Sequence, residues 1–170
     1  MNRNESLKKM TPRRKNSQDL GFLHQLDEEI RTRFLQEGRF VDRKQGDYLV
    51  VQGQPLKVMS VIISGSIRLT VNAHGNTVTV TSLGSGDVFG EMSVIDSRKA
   101  SATARVSGGP ARLWNIDYRS FNDFIASDQF TGFNIMKAMA IILCRKLRVD
   151  NEHMLHQASD MCSHFLDQDY

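Results

Sequence analysis

The stretch from Asp87 to Ala104 reads DVFGEMSVIDSRKASATA and interrupts the β-rich part of the chain. Gly90 permits a close approach of the backbone to a ligand, and Glu91 supplies a carboxylate that can accept a hydroxyl hydrogen bond. The amides that begin a short helical turn can hold an anion, and Arg98 and Lys99 add positive charge nearby. A sugar hydroxyl beside a phosphate suits this set. The alternative is a connecting turn in which Glu91 caps a helix and the basic residues face water.

Short β-rich runs lie on both sides of this stretch, between Phe40 and Ile116. Apolar and polar side chains alternate over residues 66–71 and 76–83, and Asn72-Ala73-His74-Gly75 between them indicates a hairpin. Further strands are predicted at 47–51, 58–64 and 111–116, with turns at glycines that include Gly65 and the Gly108-Gly109-Pro110 cluster. Short strands at a spacing of about ten residues predict a small sandwich or jelly roll.

Helical patterns flank the β-rich region. Asp27 is a candidate N-cap of a first helix, Asp117 of a short later helix, and Asp128 of a long helix that runs to about His156. The expected buried residues of the first two helices are Ile30, Phe34, Phe121, Phe124 and Ile125. The predicted fold class is therefore mainly β with flanking helices, a jelly-roll barrel followed by a short helix and a long C-terminal helix.

The chain has 170 residues, 40% hydrophobic and 24% charged, and can bury one core of ordinary domain size. Its net charge of +3 is too small to indicate a nucleic-acid binder by itself. Residues 1–15 hold six Lys or Arg and one acid, whereas residues 150–170 hold five acids and no Lys or Arg. We expect a disordered basic tail over 1–16, one domain over 17–157 and an acidic extension over 158–170. The alternative for the tail is contact with nucleic acid or an acidic partner.

Several function classes have little support in the sequence. The longest unbroken apolar run, Ala138 to Cys144, is far shorter than the roughly 20 residues of a membrane-spanning helix. Cys144 and Cys162 form neither a disulfide framework nor a metal-ligand spacing, so we expect a reducing, cytoplasmic location. The five histidines indicate no metal site, and no nucleophile motif indicates an enzyme.

A series of short motifs resembles the cyclic nucleotide-binding domain family, the effector domain of catabolite-activator-type regulators. The resemblance covers about residues 22–155, and the family fold it implies is an eight-stranded jelly roll flanked by helices. The matching segments are Gly46-Asp47, Gln52-Gly53, Ile63-Ser64-Gly65-Ser66, His74-Gly75, Leu83-Gly84-Ser85-Gly86-Asp87 and Phe89-Gly90-Glu91-Met92. About 14 residues follow His156, which leaves no room for a helix-turn-helix, so we expect no direct DNA binding.

The resemblance implies a phosphate-binding cassette from Phe89 to about Thr103. Glu91 would accept from the ribose 2′-hydroxyl, and Ser101 and Ala102 would offer groups to the cyclic phosphate and base. The family has an arginine where this chain has Ala100, and the nearest basic residues are Lys99 and Arg98. The candidate ligand-contacting set is Phe89, Gly90, Glu91, Met92, Arg98, Lys99, Ala100, Ser101 and Ala102.

The leading functional prediction is a non-enzymatic sensor that binds cAMP or cGMP, needs no cofactor and signals to an unknown protein partner. The alternative is a degenerate domain that has lost the nucleotide and acts as an interaction or dimerisation module. A homodimer is predicted through the long C-terminal helix, where Met136, Ala140, Leu143 and Leu147 form one apolar stripe and Asn151 follows as a polar seam residue. The alternative is that this stripe packs only on the barrel.

Overall fold

The computed structural model describes residues 21–73 and 75–166, with side chains through Leu155 except that of His153. The predicted basic tail and the last four residues of the acidic extension lie outside the described residues, as does His74 of the predicted hairpin. After a short 3-10 helix, Phe22–Gln25, the elements are α1 (Glu28–Gln36), β1 (Arg39–Arg43), β2 (Tyr48–Val50), β3 (Val58–Ala73), β4 (Asn76–Leu83), β5 (Val88–Phe89), α2 (Glu91–Asp96), β6 (Thr103–Asp117), α3 (Tyr118–Ser127) and α4 (Gln129–Leu166).

The sheet is antiparallel throughout and has the order β1-β6-β3-β4, with β2 added against β6 and β5 against β3. Strand β3 pairs with β6 from Val58 opposite Asp117 to Thr70 opposite Thr103, and with β4 as a hairpin. This antiparallel sheet with flanking helices is the predicted jelly roll, and it confirms the predicted fold class.

Two segments that were predicted to be turns lie inside the two longest strands. Gly65 lies inside β3, and the Gly108-Gly109-Pro110 cluster lies inside β6. The β3–β6 register shifts there, because Ser64 faces Arg112 whereas Ser66 faces Ser107. Gly65, Gly108 and Gly109 have positive φ, and the β3–β6 pairing is interrupted there and resumes on the other side in a shifted register. The described residues therefore form fewer strands than the eight that the resemblance implies.

The core has two parts. Inside the barrel, buried side chains of β3, β5 and β6 pack together, among them Ile62, Phe89 and Leu113. The second part joins the helices to one end of the barrel, around the fully buried ring of Phe34. This ring contacts four others, those of Phe22, Trp114, Phe121 and Phe124. The helical part of the core fixes the start of α4 against the barrel.

The helix ends follow the predictions with two corrections. Asp117 Oδ1 accepts from the Ser120 amide at 3.0 Å, and Asp128 Oδ1 accepts from the Thr131 amide at 2.7 Å, so α3 and α4 have the predicted caps. Asp27 precedes α1, as predicted, but its side chain makes no capping hydrogen bond. Helix α4 continues to Leu166, ten residues beyond the predicted end at His156. None of the helices within the described residues is long and apolar enough to cross a bilayer.

Candidate ligand-binding site

A cavity of about 300 Å³ opens between the barrel and α4. Its apolar wall comes from inward-facing strand residues such as Leu69, Phe89 and Ala104. Helix α4 covers one side with residues that include Ile142 and Lys146. The cavity is thus mostly apolar with a small number of charged groups, which is typical of small-molecule sites.

The turn from β5 into α2 depends on Gly90. Its backbone is left-handed, with φ 79° and ψ 0°, and it is the N-cap residue of α2. A Cβ atom there would collide with the carbonyl oxygen of Val58 and come within 2.9 Å of Leu56 Cδ2. Only glycine fits both the conformation and the space. The sharp turn makes Glu91 the first residue of α2 and places it at the cavity.

Glu91 is the buried carboxylate of this site, with 5% of its side chain exposed. Lys146 Nζ on α4 lies 2.7 Å from Glu91 Oε1. The same ammonium group donates to the carbonyl oxygen of Val88 at 2.7 Å. Because a buried carboxylate is unfavourable without a cation, the pair both stabilises Glu91 and holds α4 against β5.

Ala100 has a fixed backbone at the edge of the cavity. Its amide donates to the Gln54 carbonyl and its own carbonyl accepts from the Gly53 amide, both at 2.9 Å. The side chain is buried and lines the cavity, followed by Ser101 and Ala102. The position at which the resemblance implies an arginine therefore presents only a methyl group to the cavity.

Most of the predicted site residues meet at this cavity, and two do not. The residues that line it are Phe89, Gly90, Glu91, Met92, Ala100, Ser101 and Ala102. Arg98 and Lys99 are exposed and do not line it, so the structure does not bring these two residues together with the others. Ser97 has a left-handed backbone, and the Asp96 carboxylate then accepts from the Arg98 amide at 2.9 Å and lies 3.7 Å from its guanidinium.

The sequence reasoning missed the basic residues of α4, Arg145 and Lys146, which line the cavity. They lie more than fifty residues from Glu91 in the chain, beyond the reach of local motifs. One signal was present. The buried face of α4 contains Ile135, Ala138, Met139 and Ile142, and the same spacing continues to Lys146. A lysine on the buried face of an amphipathic helix indicates a partner carboxylate inside the molecule.

A jelly roll in which a strand–glycine–helix turn carries a buried carboxylate into a cavity has the architecture of a cyclic nucleotide-binding domain. The family model of that domain matches residues 40–128, and the chain belongs to this family.

Among similar proteins, the cGMP-dependent protein kinase of Toxoplasma gondii is 29% identical over 85 residues, which are 50% of this chain and 8% of the kinase. The CRP-like cAMP-activated global transcriptional regulator of Mycobacterium tuberculosis is 28% identical over 117 residues, 67% of this chain and 49% of the regulator. The chain thus spans at most about half the length of these relatives.

Solved structures show the same fold. A cyclic nucleotide-binding domain from Methylobacillus flagellatus superposes with a TM-score of 0.73 at 18% identity, covering 78% of this chain and 74% of that domain. The catabolite activator protein of Thermus thermophilus superposes with a TM-score of 0.68 at 24% identity, covering 81% of this chain and 62% of that protein.

Proposed function

We propose that the chain is a non-enzymatic regulatory module that binds a cyclic nucleotide, cAMP or cGMP, in the cavity between the barrel and α4. The observation that carries this proposal is Glu91, a buried carboxylate that Gly90 places at the cavity wall. Its role is to accept a hydrogen bond from the ribose 2′-hydroxyl. The family membership and the cAMP- and cGMP-dependent relatives support the same ligand class.

The phosphate of the ligand lies, in this proposal, beside the backbone of Ser101 and Ala102. Ala100 supplies no positive charge. The cationic side chains that line the cavity are those of Arg145 and Lys146 on α4. A hydrogen bond to a charged group contributes about 1.5–3 kcal/mol, so a lost arginine contact weakens binding about ten- to a hundredfold unless another cation replaces it. We therefore expect binding that is weaker and more salt-dependent than in relatives with the arginine.

Calorimetric titration of the full chain with cAMP and with cGMP tests this function. We expect saturable binding of at least one nucleotide, and loss of most of it in Glu91→Ala. Glu29→Ala, which removes an exposed carboxylate on α1, is the matched control and is expected to bind like the wild type. Absence of binding at millimolar nucleotide, or equal binding by Glu91→Ala, contradicts the proposal.

A degenerate domain that acts only through protein contacts is the second candidate. The observation in its favour is that Glu91 already forms an ion pair with Lys146. A cavity without nucleotide would leave this ion pair as a structural link between α4 and the barrel. The titration separates the two candidates.

We further propose that two copies associate through α4. The α4 stripe, defined as Met136, Ala140, Leu143 and Leu147, keeps the four-three-four spacing of a two-helix seam. The residues that pack on the barrel are instead Ile135, Ala138, Met139 and Ile142. Met136 is 39% exposed and Leu147 61% exposed, so the stripe is available to a second copy. The dimer is the route by which the site would signal to a further protein partner.

A further inference from the structure

A second concave surface lies on the opposite face of the sheet from the nucleotide cavity. Side chains alternate along β3 and β6, so Ile67, Leu69, Ala104 and Val106 pack in the barrel core. Arg68, Thr70, Thr103 and Arg105 therefore point outward. Together with β4 and the segment around Tyr48, they line an open groove of about 1120 Å³. We call this surface the outer groove.

The outer groove contains two arginines side by side. Arg68 on β3 lies directly opposite Arg105 on β6 in the antiparallel register. Like charges at directly opposed positions destabilise a sheet, because the Cβ atoms of such a pair are only about 5 Å apart. Neither guanidinium forms an ion pair with a carboxylate in the described part of the chain, and the described lining residues include no acid. The groove thus presents two adjacent, uncompensated positive charges.

Arg105 is held in place before any ligand binds. Its Nε donates to the Gly46 carbonyl at 2.9 Å, and its guanidinium lies over the Tyr48 ring, 5.0 Å from the centroid. Tyr48 also faces Arg105 in the β2–β6 register. A fixed guanidinium loses little side-chain entropy when it binds an anion, which favours a pre-formed site over a random surface charge.

Polar, uncharged groups line the rest of the outer groove. Thr70 faces Thr103 on one side and Thr79 on the other, which gives a row of hydroxyl groups across three strands. At one end, two hydrogen bonds fix Gln52. Its backbone N–H donates to Thr103 Oγ1 at 3.0 Å, and its side-chain Oε1 accepts from the backbone N–H of Asn72 at 2.7 Å. Hydroxyl and amide groups of this kind pair with the backbone of an extended peptide.

We propose that the outer groove binds a phosphorylated serine or threonine in an extended segment of a partner protein. A phosphate monoester carries about −1.5 to −2 charge at neutral pH, which matches two guanidinium groups at a single point. Arginine pairs with phosphate through two parallel hydrogen bonds. The volume of the groove greatly exceeds that of one phosphate, and the row of threonines accommodates the flanking peptide. A nucleic acid fits less well, because the Tyr48 ring already stacks with Arg105 and the remaining lining lacks further cations.

The test is an amide-resolved NMR titration of the full chain in phosphate-free buffer without added nucleotide. The probes are the capped peptide Gly-phosphoSer-Gly, its unphosphorylated twin and an eight-nucleotide oligo-dT. We expect saturable shifts at the amides of Arg68, Thr70, Thr103 and Arg105 with the phosphopeptide, and binding of the twin at least about tenfold weaker. Because the groove and the cavity lie on opposite faces, the result is independent of whether cAMP binds.

Variants complete the test. Arg68→Gln and Arg105→Gln are each expected to weaken phosphopeptide binding about tenfold. Arg112→Gln is the matched control, since Arg112 lies on the same strand outside the groove, beside Asp42. If Arg105→Gln does not fold, Arg68→Gln alone carries the test. Equal binding of the twin, absence of shifts at tens of millimolar phosphopeptide, unchanged affinity in Arg68→Gln, or tighter binding of oligo-dT overturns the proposal.

Discussion

The Glu91–Lys146 ion pair has two roles. It places a carboxylate in the candidate ligand site, and it links α4 to the barrel. Removing one partner from a buried pair leaves an uncompensated charge, which costs about 3–5 kcal/mol. We expect Lys146→Met to cost about 3 kcal/mol, the lower end of that range, because 33% of the Lys146 side chain is exposed. Urea unfolding measures the change.

Controls separate this effect from general damage to α4. Lys137→Met removes an exposed lysine of the same helix and is expected to leave stability unchanged. The double variant Glu91→Gln with Lys146→Met has no unpaired buried charge and is expected to recover most of the loss. Additive losses in the double variant would show that the pair is not coupled.

Lys146 also bears on nucleotide affinity. In the proposed function it holds the carboxylate of Glu91 where the ribose hydroxyl binds, so Lys146→Met is expected to weaken binding about ten- to a hundredfold. Lys146→Arg keeps the charge and is expected to retain most of the affinity. Calorimetry at a temperature where all variants are folded measures both. Tighter binding in Lys146→Met would instead identify Lys146 as a competitor of the ligand.

The methyl group of Ala100 gives a gain-of-function prediction. Ala100 is buried at the cavity wall with its backbone fixed on both sides. Ala100→Arg is expected to place a guanidinium at the phosphate and to tighten nucleotide binding by roughly one to two orders of magnitude. Ala126→Arg, at an exposed position on α3, is the control. An unchanged dissociation constant in Ala100→Arg would argue against a phosphate at this place.

At the scale of single elements, the cap of α3 gives a pH prediction. The pKa of Asp117 is lowered from its ordinary value of 3.8, chiefly because the Ser120 amide donates to the carboxylate. A folded-state pKa below the unfolded value stabilises the protein above that unfolded value, and the contribution is lost as pH falls through the lowered one. Asp117→Ala is therefore expected to cost about 1 kcal/mol at pH 7 and progressively less below pH 3.8.

Urea midpoints of wild type and Asp117→Ala at pH 7, 4 and 3 measure this convergence. Asp123→Ala removes an exposed carboxylate from the interior of the same helix and is the control. A difference between wild type and Asp117→Ala that is the same at all three pH values would rule out the charged cap as its source.

The α4 stripe gives a prediction on assembly. Leu147 is 61% exposed and lies beyond Ile142, the last buried residue in the part of α4 whose side chains the structure describes, so a charge there does not disturb the core. In a two-helix seam it would place like charges opposite each other. Leu147→Glu is expected to sediment as a monomer while the wild type sediments as a dimer. Val78→Glu, at a 52% exposed position on β4, is expected to remain dimeric. Identical sedimentation of wild type and Leu147→Glu would contradict the α4 dimer.

At the scale of the whole molecule, the sequence predicts what depends on neighbours in the chain. The caps at Asp117 and Asp128, the β3–β4 hairpin and the Gly90–Glu91 turn are local, and the structure contains each of them. The bend of β3 at Gly65 is not local, because its pairing with β6 decides whether that glycine ends a strand or bends it. For the same reason the role of Lys146 was not predicted from the sequence, because its partner Glu91 is on another element.

The long β3–β6 pairing has a consequence for the order in which the molecule forms. Residues near 60 pair with residues near 115, whereas β3 and β4 are adjacent in the chain. Because closing a distant pair costs more chain entropy than closing a hairpin, we expect the hairpin to form early and β6 to join late. During synthesis the barrel stays incomplete until Asp117 has left the ribosome, and the apolar interior of β3 is exposed until then. A nascent chain halted before β6 should remain sensitive to protease, and one halted after α4 should resist it.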